Sequence, residues 1–141
     1  MATGDLVVTS GSYTSLIASE AENDGAFCTI SGTIASVLAA TVEDYPLLDF
    51  KLDVTAGTFA ADDTVDLYRV PGDGTDQAPT PTSSYLQQYV GSFVLSGSAD
   101  EYYLYGVNNP DNNDKFIWVP NVTTNITAQL FVRGRSLNAA A

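Results

Sequence analysis

Leu48-Asp49-Phe50-Lys51-Leu52-Asp53-Val54 places four apolar residues on one parity and three charges on the other. A helix, turning by about 100° per residue, would scatter those charges around its girth, whereas a strand sends alternate side chains to opposite faces. The stretch therefore predicts a half-buried β-strand with Asp49, Lys51 and Asp53 on its outer side. Thr64-Val65-Asp66-Leu67-Tyr68-Arg69-Val70 follows with the same alternation and stops at the turn-forming Pro71-Gly72-Asp73-Gly74. Gly57 and Ala60-Ala61-Asp62-Asp63 between them read as a hairpin connection.

Further on, Tyr89–Leu95, Glu101–Val107 and Lys115–Val119 are strand-like runs separated by Ser96–Asp100 and the Asn-rich Asn108–Asp114. In the last strand, Asn125–Arg135, Ile126, Ala128, Leu130 and Val132 share one face, and Thr127, Gln129, Phe131, Arg133 and Arg135 the other. Upstream, Leu6-Val7-Val8 and Phe27-Cys28-Thr29-Ile30 read as short strands. Thr33–Ala40 fits a strand or a short helix; its Val, Ile and Thr content and the lack of an evident cap favour extended structure. Residues 71–84, rich in Gly, Pro, Asp, Thr and Ser, read as one long exposed loop. Short strands with turn residues between them predict an all-β fold, an antiparallel β-sandwich of jelly-roll-like form. A flexible N-terminal arm, residues 1–12, would precede a single domain over 13–141.

The chain has 141 residues, no histidine, one cysteine and a net charge of −12. Without histidine it lacks the usual near-neutral general base and the commonest transition-metal ligand. Seventeen acidic against five basic residues disfavour nucleic acid and anionic membranes. No apolar run reaches the roughly 18–20 residues of a spanning helix. The opening Met1–Leu6 has no basic segment ahead of a long apolar one, so export is not expected. Cys28 lies in an apolar run and reads as a buried small hydrophobe.

Motifs for chemistry are weak. Acidic pairs such as Glu43-Asp44, Asp62-Asp63 and Asp100-Glu101 follow from composition, and the fit to a glycosidase is poor. Asp73–Asp76 and Asp111–Asp114 lack the alternating ligand spacing of a calcium loop and read as turns. The Gly-bearing loops at Ser10–Ser12 and Gly72–Gly74 are not followed by a phosphate-binding lysine. The sequons at Asn121 and Asn125 are treated as incidental. No catalytic, cofactor or metal residues are assigned. Arg133 and Arg135 project from one side of the last strand, as anchors for carboxylates on another chain or as partners of internal ones. With them, Tyr85, Tyr89, Tyr102, Tyr103, Leu6 and Val7 form the candidate interface set.

The order Leu38-Ala39-Ala40, Tyr45–Leu52, Val65–Pro71 with its Gly-Asp-Gly-Thr loop, Val90–Leu95 and Lys115–Val119 leading to Asn121 resembles small β-sandwich virion proteins of tailed bacteriophages. Head decoration, or cement, proteins are among them, and the likeness spans roughly residues 33 to 135. The resemblance implies a non-enzymatic structural protein without cofactors that binds the major capsid protein lattice. It would sit on the capsid surface as a homo-oligomer, dimer or trimer, of a virion assembled in the host bacterial cytoplasm. The alternatives are a tail, fibre or baseplate protein, and a carbohydrate-binding module stacking sugars on Tyr102, Tyr103, Tyr105 or Trp118.

Overall fold

The computed structural model describes residues 6–38, 46–70, 88–109 and 112–139, with the side chains of 6–9 and 137–139 excepted. Along the described chain the order is β1 (Leu6–Ser10), β2 (Thr14–Asn23), α1 (Ile34–Leu38), β3 (Leu47–Thr58), β4 (Ala61–Val70), β5 (Gln88–Ser96), β6 (Glu101–Asn108), β7 (Lys115–Asn121) and β8 (Asn125–Ala139). Two antiparallel sheets form a sandwich. The larger runs β1-β8-β3-β6 with β2 also on β8, and the smaller runs β5-β4-β7. The expected loop at 71–84 and the candidate Tyr85 lie outside the described residues.

The parity of Leu48–Val54 is realised in β3. Leu48, Phe50, Leu52 and Val54 are buried between the sheets, facing the buried Ile126, Ala128, Leu130 and Val132 of β8 on the same inner surface. The smaller sheet adds Val65, Leu67, Phe93, Leu95, Phe116 and Trp118 to one contiguous core. The connection after β3 is not a hairpin, because β3 and β4 belong to different sheets and the chain crosses the core between them. Its turn is closed by the Ala60 N–H donating to Asp63 Oδ2 at 2.7 Å and the Asp63 N–H donating to Ala60 O at 3.2 Å. Just before it, Gly57 at φ 135° lets β3 pass so near β8 that a Cβ there would lie 2.5 Å from the Asn125 carbonyl oxygen. The chain also changes sheet between β5 and β6, β6 and β7, and β7 and β8, which gives the jelly-roll-like path.

The expected strand at Phe27–Ile30 is instead an irregular segment lying along β7. The Cys28 and Ser31 N–H groups donate to the carbonyls of Trp118 (3.2 Å) and Phe116 (3.0 Å). In return, the Trp118 N–H donates to Cys28 Sγ at 3.1 Å and the Phe116 N–H to Ser31 Oγ at 2.8 Å. Side-chain acceptors thus stand where a ladder would use carbonyls, covering the β7 edge without a regular strand. Cys28 is buried as expected, and burial pushes its thiol well above the ordinary range.

One other upstream expectation is corrected. Extended structure was expected over Thr33–Ala40, but Ile34–Leu38 is a helical turn. Thr33 caps it, its Oγ1 accepting from the Ser36 N–H at 3.2 Å and its carbonyl from the Val37 N–H at 3.0 Å. As the Leu6-Val7-Val8 run predicts, Leu6–Ser10 is a strand, and it pairs with Arg135–Ala139. β2 continues the same edge along Asn125–Val132, and the Gly11 N–H bonds the Gly134 carbonyl at 2.9 Å where the two meet.

On β2, Glu20 and Glu22 stand two residues apart and share a side. Burial first, then the hydrogen bond and like charge of Glu20, raise the Glu22 carboxyl from its ordinary 4.5 to about 7. A carboxyl raised on folding binds more protons in the native than in the unfolded chain across that interval. Stability therefore falls as pH rises from about 4.5 to about 7. Glu22→Gln is expected to flatten this descent in thermal melts across the interval, and an unchanged slope would refute the assignment.

Candidate functional site

The outer face of the large sheet carries Arg133, Arg135 and Tyr103 of the candidate set. Asp49 and Lys51 of β3, Phe131, Arg133 and Arg135 of β8, and Tyr103 and Tyr105 of β6 all take the parity opposite to the core. Tyr13 joins them from the link between β1 and β2. Three of the chain's five basic residues, Lys51, Arg133 and Arg135, are thereby gathered on one surface of a molecule with net charge −12.

Asp49 is the centre of this surface: it lies on the outer side of β3, as its parity predicts, and is nevertheless buried. Its side chain is 0% exposed. Oδ2 accepts from Arg133 Nε at 2.9 Å, and Oδ1 lies 3.0 Å from Arg135 Nη2. Oδ1 also accepts from the Gly106 N–H at 2.9 Å. The third bond depends on a bulge: Leu48 pairs with Val107 and Phe50 with Leu104, so Asp49 faces Tyr105 and Gly106 together. Gly106 takes φ +68°, turning its N–H off the ladder toward the carboxylate, and a Cβ there would crowd Arg135 Nη2 at 3.3 Å. Of the two readings of the arginines, internal pairing is the one present, with each side chain still about a quarter exposed. The hydrogen bond to Asp49 raises Arg133 above its ordinary value. Two guanidiniums and an amide take up three of the carboxylate's acceptor positions, and the group is fully buried, which gives it a structural role.

Around this staple the aromatic rings are ordered by cations and by one another. The Arg133 guanidinium lies 4.7 Å from the Tyr13 ring centroid, and Lys51 Nζ lies 5.2 Å from Tyr13 and 4.4 Å from Phe131. Tyr103 and Tyr105 stack 3° from parallel with centroids 5.6 Å apart, and Tyr13 tilts against Tyr103 at 6.1 Å. The Tyr103 hydroxyl donates to Glu101 Oε2 at 2.8 Å, the main reason its pKa is pushed up to about 12. Burial raises that of Tyr13, with Arg133 opposing.

The remaining candidates separate. Tyr102, next to Tyr103 on a strand, must face the other way. It packs on the core, and its hydroxyl lies 2.9 Å from Ser96 Oγ, accepts from the Ser96 N–H and donates to the Ser98 carbonyl. Trp118 is buried at 0% exposure within β7, where Phe116–Pro120 is buried without a break, so neither residue is available as a sugar platform. Leu6 and Val7 are paired through their backbones with Ala139 and Asn138. Tyr89 is 61% exposed on β5, away from this face.

Among the calcium-like turns, Asp73–Asp76 lies outside the described residues, and Asp114 is buried against Arg69, whose Nε is 3.3 Å from Oδ2. Among the described residues no three His, Cys, Asp or Glu side chains are grouped to hold a metal ion. The sequon residues Asn121 and Asn125 are both engaged, Asn121 with Asp66 at 2.6 Å and Asn125 with the Thr58 N–H at 3.0 Å. No helix among the described residues is long and apolar enough to cross a membrane. No known family model and no curated protein sequence matches the chain.

Proposed function

We propose that the chain is a non-enzymatic structural protein of a tailed-bacteriophage virion, a capsid decoration protein that docks on the major capsid protein lattice through the outer face of its large sheet. The observation that carries this reading is the character of that face. It concentrates Lys51, Arg133 and Arg135 and an ordered row of tyrosines on an otherwise acidic molecule, and its buried carboxylate is engaged in structure rather than poised for reaction. Aromatic and arginine-rich surfaces are favoured in protein interfaces. Modest affinity per copy suffices when many copies, or an oligomer of this chain, bind a repeating lattice, and binding to the assembled form alone stabilises it by mass action. The strand-and-turn order that resembles decoration proteins supports the choice of lattice.

Co-sedimentation of the purified chain with expanded heads and, separately, with tails tests the assignment. The chain is expected to pellet with heads, and Tyr103→Ala, folded by circular dichroism, to lower head occupancy. Pelleting with tails alone would move the protein to the tail, fibre or baseplate, and pelleting with neither would refute virion docking.

A further inference from the structure

At one side of the sandwich, edge strand β5 of the small sheet faces edge strand β6 of the large one without joining it, leaving a cleft of about 380 Å³. That volume lies within the range of small-ligand sites. Tyr89 enters it from β5 and Tyr105 from β6, and these are 61% and 62% exposed.

Both rings are fixed despite their exposure. Tyr89 meets Tyr68 edge-on at 5.8 Å, and its hydroxyl lies 2.6 Å from Ser92 Oγ, which donates to Asp66 Oδ1 at 2.6 Å. Tyr105 is stacked on Tyr103, itself tied to Glu101. Ordering exposed side chains costs conformational entropy, and a site so ordered in advance spares its ligand that cost. Leu104 and Val90 give the cleft an apolar floor, while Gln88, Arg69 and the Asn108 backbone give it a polar rim.

Charge narrows the ligand. Arg69 in the wall opposes a cation. Its own charge is engaged by Asp114, it donates to the Asn108 carbonyl, and the net charge of −12 opposes an anion. A neutral ligand with flat apolar faces and a hydroxylated edge fits all three features. We propose that the cleft between β5 and β6 binds a neutral glycan, one pyranose ring packing on Tyr105 with Tyr89 as the second wall and its hydroxyls meeting the Gln88, Arg69 and Asn108 rim.

The cleft shares Tyr105 with the margin of the face proposed to dock, but glycan retention by the free chain and head co-sedimentation are separate readouts, so either reading can fail without the other. The test is an array of neutral and acidic glycans probed with the full chain, followed by calorimetric titration of the best neutral binder. Tyr105→Ala and Tyr89→Ala are each expected to weaken binding about tenfold. Tyr105→Phe should retain it, and Val94→Ala, exposed on β5 outside the cleft, should leave it unchanged. Circular dichroism and melting curves establish that each variant is folded. No retained neutral glycan, retention of acidic glycans alone, or binding indifferent to both alanine variants would overturn the proposal.

Discussion

Asp49→Ala is expected to lower the unfolding free energy by about 3 kcal/mol in chemical denaturation, although it removes only a short polar side chain. The substitution leaves two guanidiniums and the Gly106 N–H facing a void that held their common acceptor. Removing one partner of a buried ion pair typically costs about 3–5 kcal/mol, because the other charge stays desolvated. Here the arginine side chains keep 27% and 26% exposure, so water relieves part of the penalty and the lower end applies. The triple variant Asp49→Leu, Arg133→Met, Arg135→Met, which removes every stranded charge, should recover much of the loss. If the single variant is near neutral, the carboxylate does not hold the two arginines. If the triple variant falls as far as the single one, the loss comes from packing rather than from unpaired charge.

The same residue marks a limit of what periodicity reveals. Alternation in Leu48–Val54 assigns Asp49 to the outer side of β3, and it is there, but parity says nothing about what covers that side. The cover comes from Arg133, 84 positions away, and from a bulge opposite Gly106, neither of which has a local signature around residue 49. β2 was illegible for a related reason: its register shifts between Ser15, Ile17 and Glu20 bury the adjacent Leu16 and Ile17 together, which breaks the period of two. The edge along β7 was half legible. Phe27–Ile30 does lie beside a strand, but Cys28 Sγ and Ser31 Oγ replace the carbonyls that would make it one. The turn at Ile34–Leu38 follows from Thr33 as its cap, in a stretch whose composition favours strands. For the candidate surface, the parity of β8 joins Arg133 to Arg135, but the candidate set groups Tyr102 with Tyr103 although adjacent strand residues face opposite ways. Tyr89 is fixed by Tyr68 on a different strand, which no local pattern reveals, whereas Tyr105 stacks on Tyr103 two residues away on its own strand.

Phe50→Ala is expected to cost about 3–5 kcal/mol, the range for deleting a buried aromatic side chain and leaving a cavity. Phe50 is 0% exposed at the centre of the sandwich, its ring 4.9 Å from that of Phe116 and inclined by 55°. It therefore joins the large sheet, where it pairs with Val132 and Leu104, to the small sheet that carries Phe116. A domain of ordinary stability holds about 5–15 kcal/mol, so the variant should melt roughly 10 °C or more below the parent. The comparison that gives this result its meaning is the adjacent Lys51→Ala. Lys51 takes the opposite face, with its ammonium over the Tyr13 and Phe131 rings and 3.9 Å from Glu101, and its loss should cost no more than about 1 kcal/mol. Neighbouring residues differing several-fold in cost are the energetic form of strand parity, since a one-residue slip of β3 would exchange their environments. Phe50→Leu, which keeps most of the volume, should fall between the two. Equal costs at positions 50 and 51, or a larger one at Lys51, would mean that β3 does not present Phe50 to the core and that the sandwich is assembled on another register.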